Sequence, residues 1–319
     1  ADDPRPGPGE VTVRLNAAAL NRRDVFIRLG QYAGIKLPLI PGADGAGVIH
    51  EVGEGVDPLR AGQEVVIDPA LEWGENPRAQ GSSFRMLGLP PDGGTYAQLL
   101  RVPVANVHPR PGALSWEEAA ALPLAGLTAY RALITRGNLH AGDTVLVPGI
   151  GGGVATFVLL FARRLGARVL VTSGNEEKLA RARALGAEAG FNYHDSDWIK
   201  QVRAATDGQG PDLIVESIGG EPFNQLLDVA KPGGRIVSYG ATLGPVPNLV
   251  VRRIFWKQLD VLGSTMGRPG EFAMMLSLFE DGALRPVVDR VFPLAEAGAA
   301  QARMEQAAQF GKIVLSIPR

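Results

Sequence analysis

The stretch TVLVPGIGGGVA, residues 144–155, decides the fold of the second half of the chain. It begins with an apolar run typical of a buried strand, continues through glycines, and enters an amphipathic helical pattern near Val154. Gly149 and Gly152 lack the side chains that would block a pyrophosphate, and a helix N-terminus supplies free amides and a partial positive charge. Gly149, Gly152 and Ala155 match the motif G-x-G-x-x-G/A, except that one extra residue separates its first two glycines. The stretch predicts a dinucleotide-binding turn; a flexible turn between two packed elements is the alternative.

Strand-like runs and helical stretches alternate downstream of this turn. The runs RVLVTS, DLIVES and RIVSYG are largely apolar, and helical patterns such as EEKLARARALG and FNQLLDVA separate them. Strands that are apolar on both faces are typical of a parallel sheet covered by helices on both sides. From Val11 to Val107, short β-like runs are instead separated by Gly, Pro and Asp turns, which predicts a mostly antiparallel β domain. The predicted fold class is therefore α/β.

A capping box predicts where the helical part of the chain begins. In Ser115-Trp-Glu-Glu118 the serine oxygen can accept from a first-turn amide, while the glutamate reaches back to the serine N–H. The tail from Glu271 adds two helical stretches, EFAMMLSLFEDG and AEAGAAQARMEQAAQ, and ends in the apolar strand KIVLSI.

The composition excludes several classes of protein. The chain has 319 residues, 45% of them hydrophobic, with no cysteine and a net charge of −1. The length predicts two domains, and the lack of cysteine excludes disulfides and thiolate zinc sites. Near-neutral charge gives no global electrostatic field to attract nucleic acid or an anionic membrane, so we expect a small-molecule substrate and neither of those partners.

The longest apolar run, Val154 to Ala162, is roughly half as long as a segment that spans a bilayer. The first ten residues, ADDPRPGPGE, lack the pattern of a secretory signal, so we expect a cytoplasmic protein.

The end of the second strand bears on cofactor choice. An NAD-specific site usually places an acid there, where it accepts from the ribose hydroxyls and repels a 2′-phosphate. Here the strand ends at Ser173, and the nearest acid, Glu176, fits a capping box instead. Lys178 follows one turn later. This pattern predicts NADP(H); a solvated helix face is the alternative role for Lys178.

Several motifs in order carry a family resemblance. They are GEVTVRLNAAALNRRDVFIRLGQY, PGADGAGVIHEVGEGVDPLRAGQEVV, EEAAALPLAGLTAYRAL, the glycine turn and GKIVL. Together the chain resembles the medium-chain dehydrogenase/reductase superfamily, and within it the zinc-independent quinone oxidoreductases. The resemblance implies a GroES-like catalytic domain from residues 1–122 and 267–319, around a Rossmann NADP-binding domain of residues 123–266. It also implies a homodimer paired near Leu259 to Leu262, and a strand pair that precedes the first residue in relatives, so that we expect a trimmed N-terminus.

The resemblance places the zinc-ligand positions of metal-dependent relatives on residues that do not suit zinc. Those positions correspond to Asn21, Ala43 and Leu124, with Asp44 at the position of an adjacent glutamate. Alanine and leucine cannot ligate, and asparagine is a poor ligand. The structural zinc lobe is replaced by a loop that carries Trp73. The scattered histidines have no spaced partner, so we expect a metal-free site; the histidines are His50, His108, His140 and His194.

Without a Lewis acid, the reduction of an activated acceptor fits better than the oxidation of a simple alcohol. A quinone or an α,β-unsaturated carbonyl can take hydride if donors lie where charge develops on oxygen. By resemblance, Asn21 and Tyr32 are the donor candidates, and Phe26 stands where relatives often have a second tyrosine. Asp24 is expected to order its loop. Arg22 and Arg23 either favour an anionic substrate group or, as is commoner, are exposed.

The resemblance also implies a set of cofactor residues. Thr128 matches a position near the nicotinamide, and we count it as catalytic together with Asn21 and Tyr32. The residues assigned to the substrate cleft are Arg22, Phe26 and Trp73. The residues expected to bind the cofactor are Gly149, Gly152, Gly153, Val154, Ser173, Lys178, Tyr193, Tyr239, Gly240, Ser264, Thr265 and Met266. Ordinary strand-to-helix turns are the alternative role for the last five.

Two alternatives to a quinone or enone reductase remain. One is a metal-free reductase or dehydrogenase of another carbonyl substrate in the same superfamily, including enoyl thioesters. The other is a nucleotide-binding relative without catalytic activity, a hypothesis that the missing phenol at Phe26 favours. Near-neutral charge argues against a role of that relative on RNA.

Overall fold

The computed structural model describes residues 3–318 and divides the chain into two compact units. One unit runs to Leu127 and resumes at Met266, and the other comprises Thr128–Thr265. Within the described residues, every helix is too short or too polar to cross a lipid bilayer.

Strands dominate the first unit, and the long strand β1 lies at the centre of their sheet. It pairs antiparallel with β2 on one side and with β6 on the other. The strands up to the unit boundary are β1 (Glu10–Ala19), β2 (Asp44–Val52), β3 (Glu64–Ile67), β4 (Ala70–Leu71), β5 (Arg85–Met86), β6 (Leu99–Pro103) and β7 (Val107–Pro109). The predicted antiparallel β domain is confirmed.

Short helices join these strands, and the predicted capping box begins one of them. Glu118 N–H donates to Ser115 Oγ at 3.2 Å, and Glu118 Oε2 accepts from Ser115 N–H at 2.9 Å. The helices are α1 (Arg22–Arg28), α2 (Trp116–Ala121) and α3 (Pro123–Tyr130), with 3₁₀ turns at Pro58–Arg60 and Val104–Asn106.

The second unit is a parallel sheet in the order β10-β9-β8-β11-β12-β13. This is the strand order of a Rossmann fold. It confirms the parallel sheet that the alternating pattern predicted and the Rossmann domain that the resemblance implied. Its strands are β8 (Thr144–Val147), β9 (Arg168–Ser173), β10 (Ala189–Asn192), β11 (Leu213–Glu216), β12 (Arg235–Ser238) and β13 (Asp260–Gly263). Its helices are a π-helical segment at Arg131–Arg136, α4 (Gly153–Arg164), α5 (Glu176–Ala184), α6 (Trp198–Ala204), α7 (Phe223–Val229) and α8 (Val251–Lys257).

The tail of the chain completes the first unit. Its elements are α9 (Pro269–Ser277), β14 (Val288–Pro293), a 3₁₀ turn at Leu294–Glu296, α10 (Ala297–Glu305) and β15 (Lys312–Ser316). Strand β15 pairs antiparallel with the end of β1, where Ala18 faces Leu315, and β14 adds to it in parallel. The tail strand therefore brings Lys312 to the point where β1 leads into α1.

Candidate functional site

The glycine turn joins β8 to α4 with the backbone shape that the sequence predicted. Gly149 and Gly151 have φ of +66° and +127°, values that L side chains rarely adopt. A methyl group added at Gly152 would meet nothing within 4 Å, so one side of the turn is open to a ligand. A methyl group at Gly151 would instead lie 3.0 Å from Cδ and 3.3 Å from Nζ of Lys178. The lysine therefore lies across the turn and brings a positive charge to it.

The helix that follows β9 begins later than the capping box had suggested. Asn175 is the N-cap, and its side-chain oxygen accepts from Lys178 N–H at 3.0 Å. The predicted cap at Glu176 is wrong because α5 starts at that residue itself. The Glu176 carboxylate accepts instead from Asn192 Nδ2 at 2.8 Å, which holds it on the side of β10. Buried Ser173 ends β9 and accepts from Asn175 N–H at 3.1 Å.

Two ring side chains from the end of β10 meet over Gly174. An added methyl group there would lie 2.5 Å from His194 Nε2 and 2.8 Å from Tyr193 Oη. The two rings pack edge to face, with centroids 4.7 Å apart. The structure thus brings Ser173, Lys178 and Tyr193 to the same end of the sheet, and it adds His194, which the sequence analysis had set aside as scattered.

The ends of β11 and β12 hold a buried acid and a half-buried phenol. Glu216 Oε2 accepts from the main-chain N–H groups of Ile218 at 2.8 Å and Gly219 at 3.1 Å. Burial, the largest cause, raises the pKa of Tyr239 to about 12, and the Glu216 charge adds to the increase. Sequence analysis missed Glu216, although an acid at the end of the apolar run LIVE was a visible signal. Gly240 follows Tyr239 directly, and a methyl group there would lie 3.1 Å from Ser217 Cβ.

The remaining predicted cofactor residues lie at helix starts and strand ends. Gly153 and Val154 form the first turn of α4. Ser264 follows β13 and donates its N–H to Ser238 O at 2.9 Å, whereas Thr265 is exposed. Met266 is buried with φ of +42°. Thr128 is buried within α3.

In the first unit, Asn21, Asp44 and Lys312 form a buried polar network. Lys312 Nζ lies 2.7 Å from Asp44 Oδ2 and donates to Asn21 Oδ1 at 2.8 Å and to Leu20 O at 2.7 Å. Asn21 Nδ2 donates to Asp44 Oδ2 at 2.9 Å, and Leu124 N–H donates to Asp44 Oδ1 at 2.7 Å. The side chains of Lys312 and Asp44 are 2% and 0% exposed. Asn21 thus has one amide hydrogen bonded to Asp44 and its oxygen bonded to Lys312.

Asp24 links this network to a phenol. Its Oδ2 accepts from Asn21 N–H at 2.8 Å and from Tyr96 Oη at 3.1 Å. Burial is the largest cause that raises the pKa of Asp24 and, together with the Asp24 charge, holds the pKa of Tyr96 well above its usual value. These bonds agree with the expectation that Asp24 orders its loop. No sequence signal joins Asp24 to Tyr96, since 72 positions separate them.

The first two arginines of α1 are both bound to main-chain oxygens. Arg22 donates to Met304 O at 2.9 Å. Arg23 is only 9% exposed and donates to Leu87 O, so the expectation of an exposed side chain is wrong for this residue. The positive charge of this buried guanidinium is compensated by the Asp24 carboxylate and the Leu87 carbonyl. Arg23 Nε lies 3.8 Å from Asp24 Oδ1.

The other residues assigned to the substrate cleft lie in or beside loops of the first unit. Tyr32 and Phe26 are half-buried, and Tyr32 lies in the loop after α1. Trp73 is 3% exposed, donates its indole N–H to Asn76 O at 3.0 Å, and packs against Phe84 with ring centroids 5.4 Å apart. These contacts account for the burial of Trp73, and its role in substrate binding stays a prediction.

A Rossmann sheet with a glycine turn, next in sequence to a β-rich unit, defines the class of two-domain nucleotide-dependent oxidoreductases. Residues 7–112 match the family model of the alcohol dehydrogenase GroES-like domain, and residues 153–281 match that of the zinc-binding dehydrogenases. The chain belongs to the medium-chain dehydrogenase/reductase superfamily, whose members bind a nicotinamide dinucleotide.

Relatives align with almost the whole length of the chain. The zinc-type alcohol dehydrogenase-like protein YogA of Leptosphaeria maculans is 38% identical, over 98% of this chain and 92% of its own length. The quinone oxidoreductase of Rattus norvegicus is 28% identical, over 98% of this chain and 90% of its own length. A crystal structure described as an NAD-dependent alcohol dehydrogenase superposes with a TM-score of 0.93 at 40% identity, covering 100% of this chain and 94% of that one.

The zinc that these family names imply can be tested against the residues present. Asn21, Ala43 and Leu124 offer no strong ligand, and both carboxylate oxygens of Asp44 already accept hydrogen bonds. Among residues 3–318 no three His, Asp or Glu side chains come together as a metal site would require. The residues at this position do not fit a catalytic zinc ion.

Proposed function

We propose that the chain is a zinc-independent, NADPH-dependent oxidoreductase that transfers hydride to a quinone or an α,β-unsaturated carbonyl acceptor. The observation that carries this proposal is the closed network of Asn21, Asp44 and Lys312. A buried ammonium group bonded to Asp44 disfavours a second cation there by charge repulsion. Acceptors that are already activated toward hydride need no Lewis acid, which favours quinones and enones over simple alcohols.

The preference for NADPH is supported by the end of β9. The strand ends at Ser173 and not at an acid, and the carboxylate of nearby Glu176 is engaged by Asn192 Nδ2 at 2.8 Å. Ser173, Lys178 and Tyr193 would hold a 2′-phosphate, and Gly149, Gly152 and the start of α4 would hold the pyrophosphate. Because the related structure is described as NAD-dependent, the test of this preference compares the binding of NADPH with that of NADH.

The chain's own residues have distinct roles in this proposal. The bound cofactor would supply the hydride. The donor expected to stabilise charge on the acceptor oxygen is the Asn21 Nδ2 hydrogen that is not bonded to Asp44, and the Lys312 ammonium on Asn21 Oδ1 polarises that amide. Tyr32 remains the proton donor candidate, since the Tyr96 hydroxyl already donates to Asp24.

We also propose a homodimer paired through β13. This strand lies at one edge of the six-stranded sheet, and among the described residues no strand pairs with its outer side. Val261 on β13 and the ring side chains of Phe255 and Trp256 on neighbouring α8 are exposed. An exposed apolar sheet edge is a template for pairing with another chain.

An acceptor panel tests the proposed activity. Quinones, enones, simple ketones and enoyl thioesters are supplied with NADPH or NADH, and cofactor oxidation is followed by absorbance. We expect turnover with quinones or enones, unchanged after chelator treatment, and no stoichiometric zinc in the purified protein. Turnover only with ketones or thioesters would favour another carbonyl reductase of the superfamily. Cofactor binding without turnover of any acceptor would favour a non-catalytic relative.

A further inference from the structure

His194 is held in a fixed place at the end of β10, next to the end of β9. The two strands pair so that Asn192 faces Ser173. The His194 main-chain N–H donates to Asn192 Oδ1 at 3.0 Å, and its ring packs edge to face against Tyr193 with centroids 4.7 Å apart. These two contacts orient an otherwise exposed imidazole.

The imidazole nitrogen points over the main chain just after Ser173. Its Nε2 comes within 2.5 Å of the position that a Cβ of Gly174 would take, and Tyr193 Oη comes within 2.8 Å of the same point. A side chain at 174 would therefore displace both groups. Glycine at this position lets a phenol and an imidazole converge where the proposed 2′-phosphate of the cofactor would lie.

The segments next to this point carry the following charged groups. On the β9 to α5 side they are Glu176, Glu177 and Lys178, of which Glu176 is bonded to Asn192. The loop before α6 carries Asp195 and Asp197, and the latter accepts from Gln201 Nε2 at 2.8 Å. On β9 itself, the one charged residue is Arg168 at the opposite end, paired with Glu188.

We propose that His194 is a further specificity-determining residue, whose protonated imidazole binds the 2′-phosphate of NADPH. The proposal rests on the proposed use of NADPH by this chain. Histidine changes charge near pH 6.5 and a phosphate monoester gains its second negative charge near pH 6, each an approximate value, so the two are oppositely charged in an overlapping range. A neighbouring phosphate raises the pKa of a histidine. The affinity that this ion pair adds should therefore fall as pH rises and histidine loses its charge.

Binding of small fragments to the full chain isolates this contribution. Isothermal titration calorimetry gives the Kd of 2′,5′-ADP and of 5′-AMP at about pH 6, 7 and 8.5 for the wild type, His194→Gln and His140→Gln. We expect wild-type affinity for 2′,5′-ADP to fall about tenfold more over this range than that of His194→Gln. The 5′-AMP affinities should match in all three proteins. His140→Gln is the matched control, because His140 precedes β8 at the other end of the strands and lies 3.8 Å from Asp143.

Two results would overturn the proposal, and they differ from each other. Equal pH dependence in the wild type and His194→Gln, with 2′,5′-ADP still preferred over 5′-AMP, would remove His194 and leave the NADPH preference standing. No preference for 2′,5′-ADP at any pH would remove both. Equal unfolding temperatures of the two histidine variants and the wild type establish that the comparison concerns folded protein.

Discussion

Lys178 is the residue on which cofactor preference is expected to depend most. Its ammonium group lies across the glycine turn, 3.3 Å from where a Cβ of Gly151 would be. Lys178→Glu places a carboxylate opposite the 2′-phosphate, so the affinity for NADPH should fall about tenfold more than the affinity for NADH. Titration of protein fluorescence with each cofactor measures both Kd values. Lys200→Glu, the same change at an exposed lysine of α6, is the control. Equal losses for both cofactors would contradict the assigned role.

Asp68 gives the first unit a pH-dependent stability. Burial raises the pKa of Asp68 to about 7, although its carboxylate accepts from Ala70 N–H at 2.9 Å. A raised pKa means that the folded state holds this proton more tightly than the unfolded state does. The stability is therefore fully present below the unfolded value of 3.8 and is lost as pH rises through about 7. At about 1.4 kcal/mol per tenfold change in proton affinity, the loss is on the order of 4 kcal/mol.

Asp68→Asn should remove most of this pH dependence. The amide oxygen keeps the bond to Ala70 N–H, and no charge has to be buried when pH rises. We expect the unfolding temperature of the variant to exceed that of the wild type near pH 8 and to approach it near pH 4, measured by scanning calorimetry. Asp57→Asn, a change at an exposed acid, is the control. Parallel curves for wild type and Asp68→Asn would show that burial does not shift the titration of Asp68.

Lys312 joins three elements of the first unit through one ammonium group. It lies on β15 and bonds to Leu20 and Asn21 at the end of β1 and to Asp44 at the start of β2. Lys312→Met leaves the Asp44 carboxylate buried without its cation, which should reduce the free energy of unfolding by about 3–5 kcal/mol. Chemical denaturation measures the change. The double variant Lys312→Met with Asp44→Asn should recover part of the loss. If the double variant were less stable by the sum of both single losses, the ion pair would not be the cause.

The sequence predicted the elements better than it predicted these contacts. Alternation of apolar runs and helical patterns predicted the parallel sheet, which has six strands, because burial on both faces fixes the composition of such strands. Ser115 and Glu118 predicted the start of α2, since both halves of a capping box lie within one turn. Lys312 and Asp44 are 268 positions apart, and only the return of the tail onto β1 brings them together. The capping box that ends at Glu176 placed the start of α5 too early, because Asn175, which the sequence analysis did not consider, is the N-cap.

The proposed dimer concerns the whole molecule and depends on the edge of the Rossmann sheet. Trp256 is 80% exposed and Val261 is 42% exposed, and an apolar surface of this kind is stabilised when a second copy covers it. Light scattering coupled to gel filtration should give twice the chain mass of 33.7 kDa for the wild type. Val261→Glu combined with Trp256→Glu puts like charges opposite each other in a symmetric pair and should shift the mass to that of a monomer. Val291→Glu, equally exposed at 42% but in the other unit, should leave the dimer intact. A wild-type mass of one chain at micromolar concentration, or loss of the dimer in Val291→Glu alone, would contradict pairing through β13.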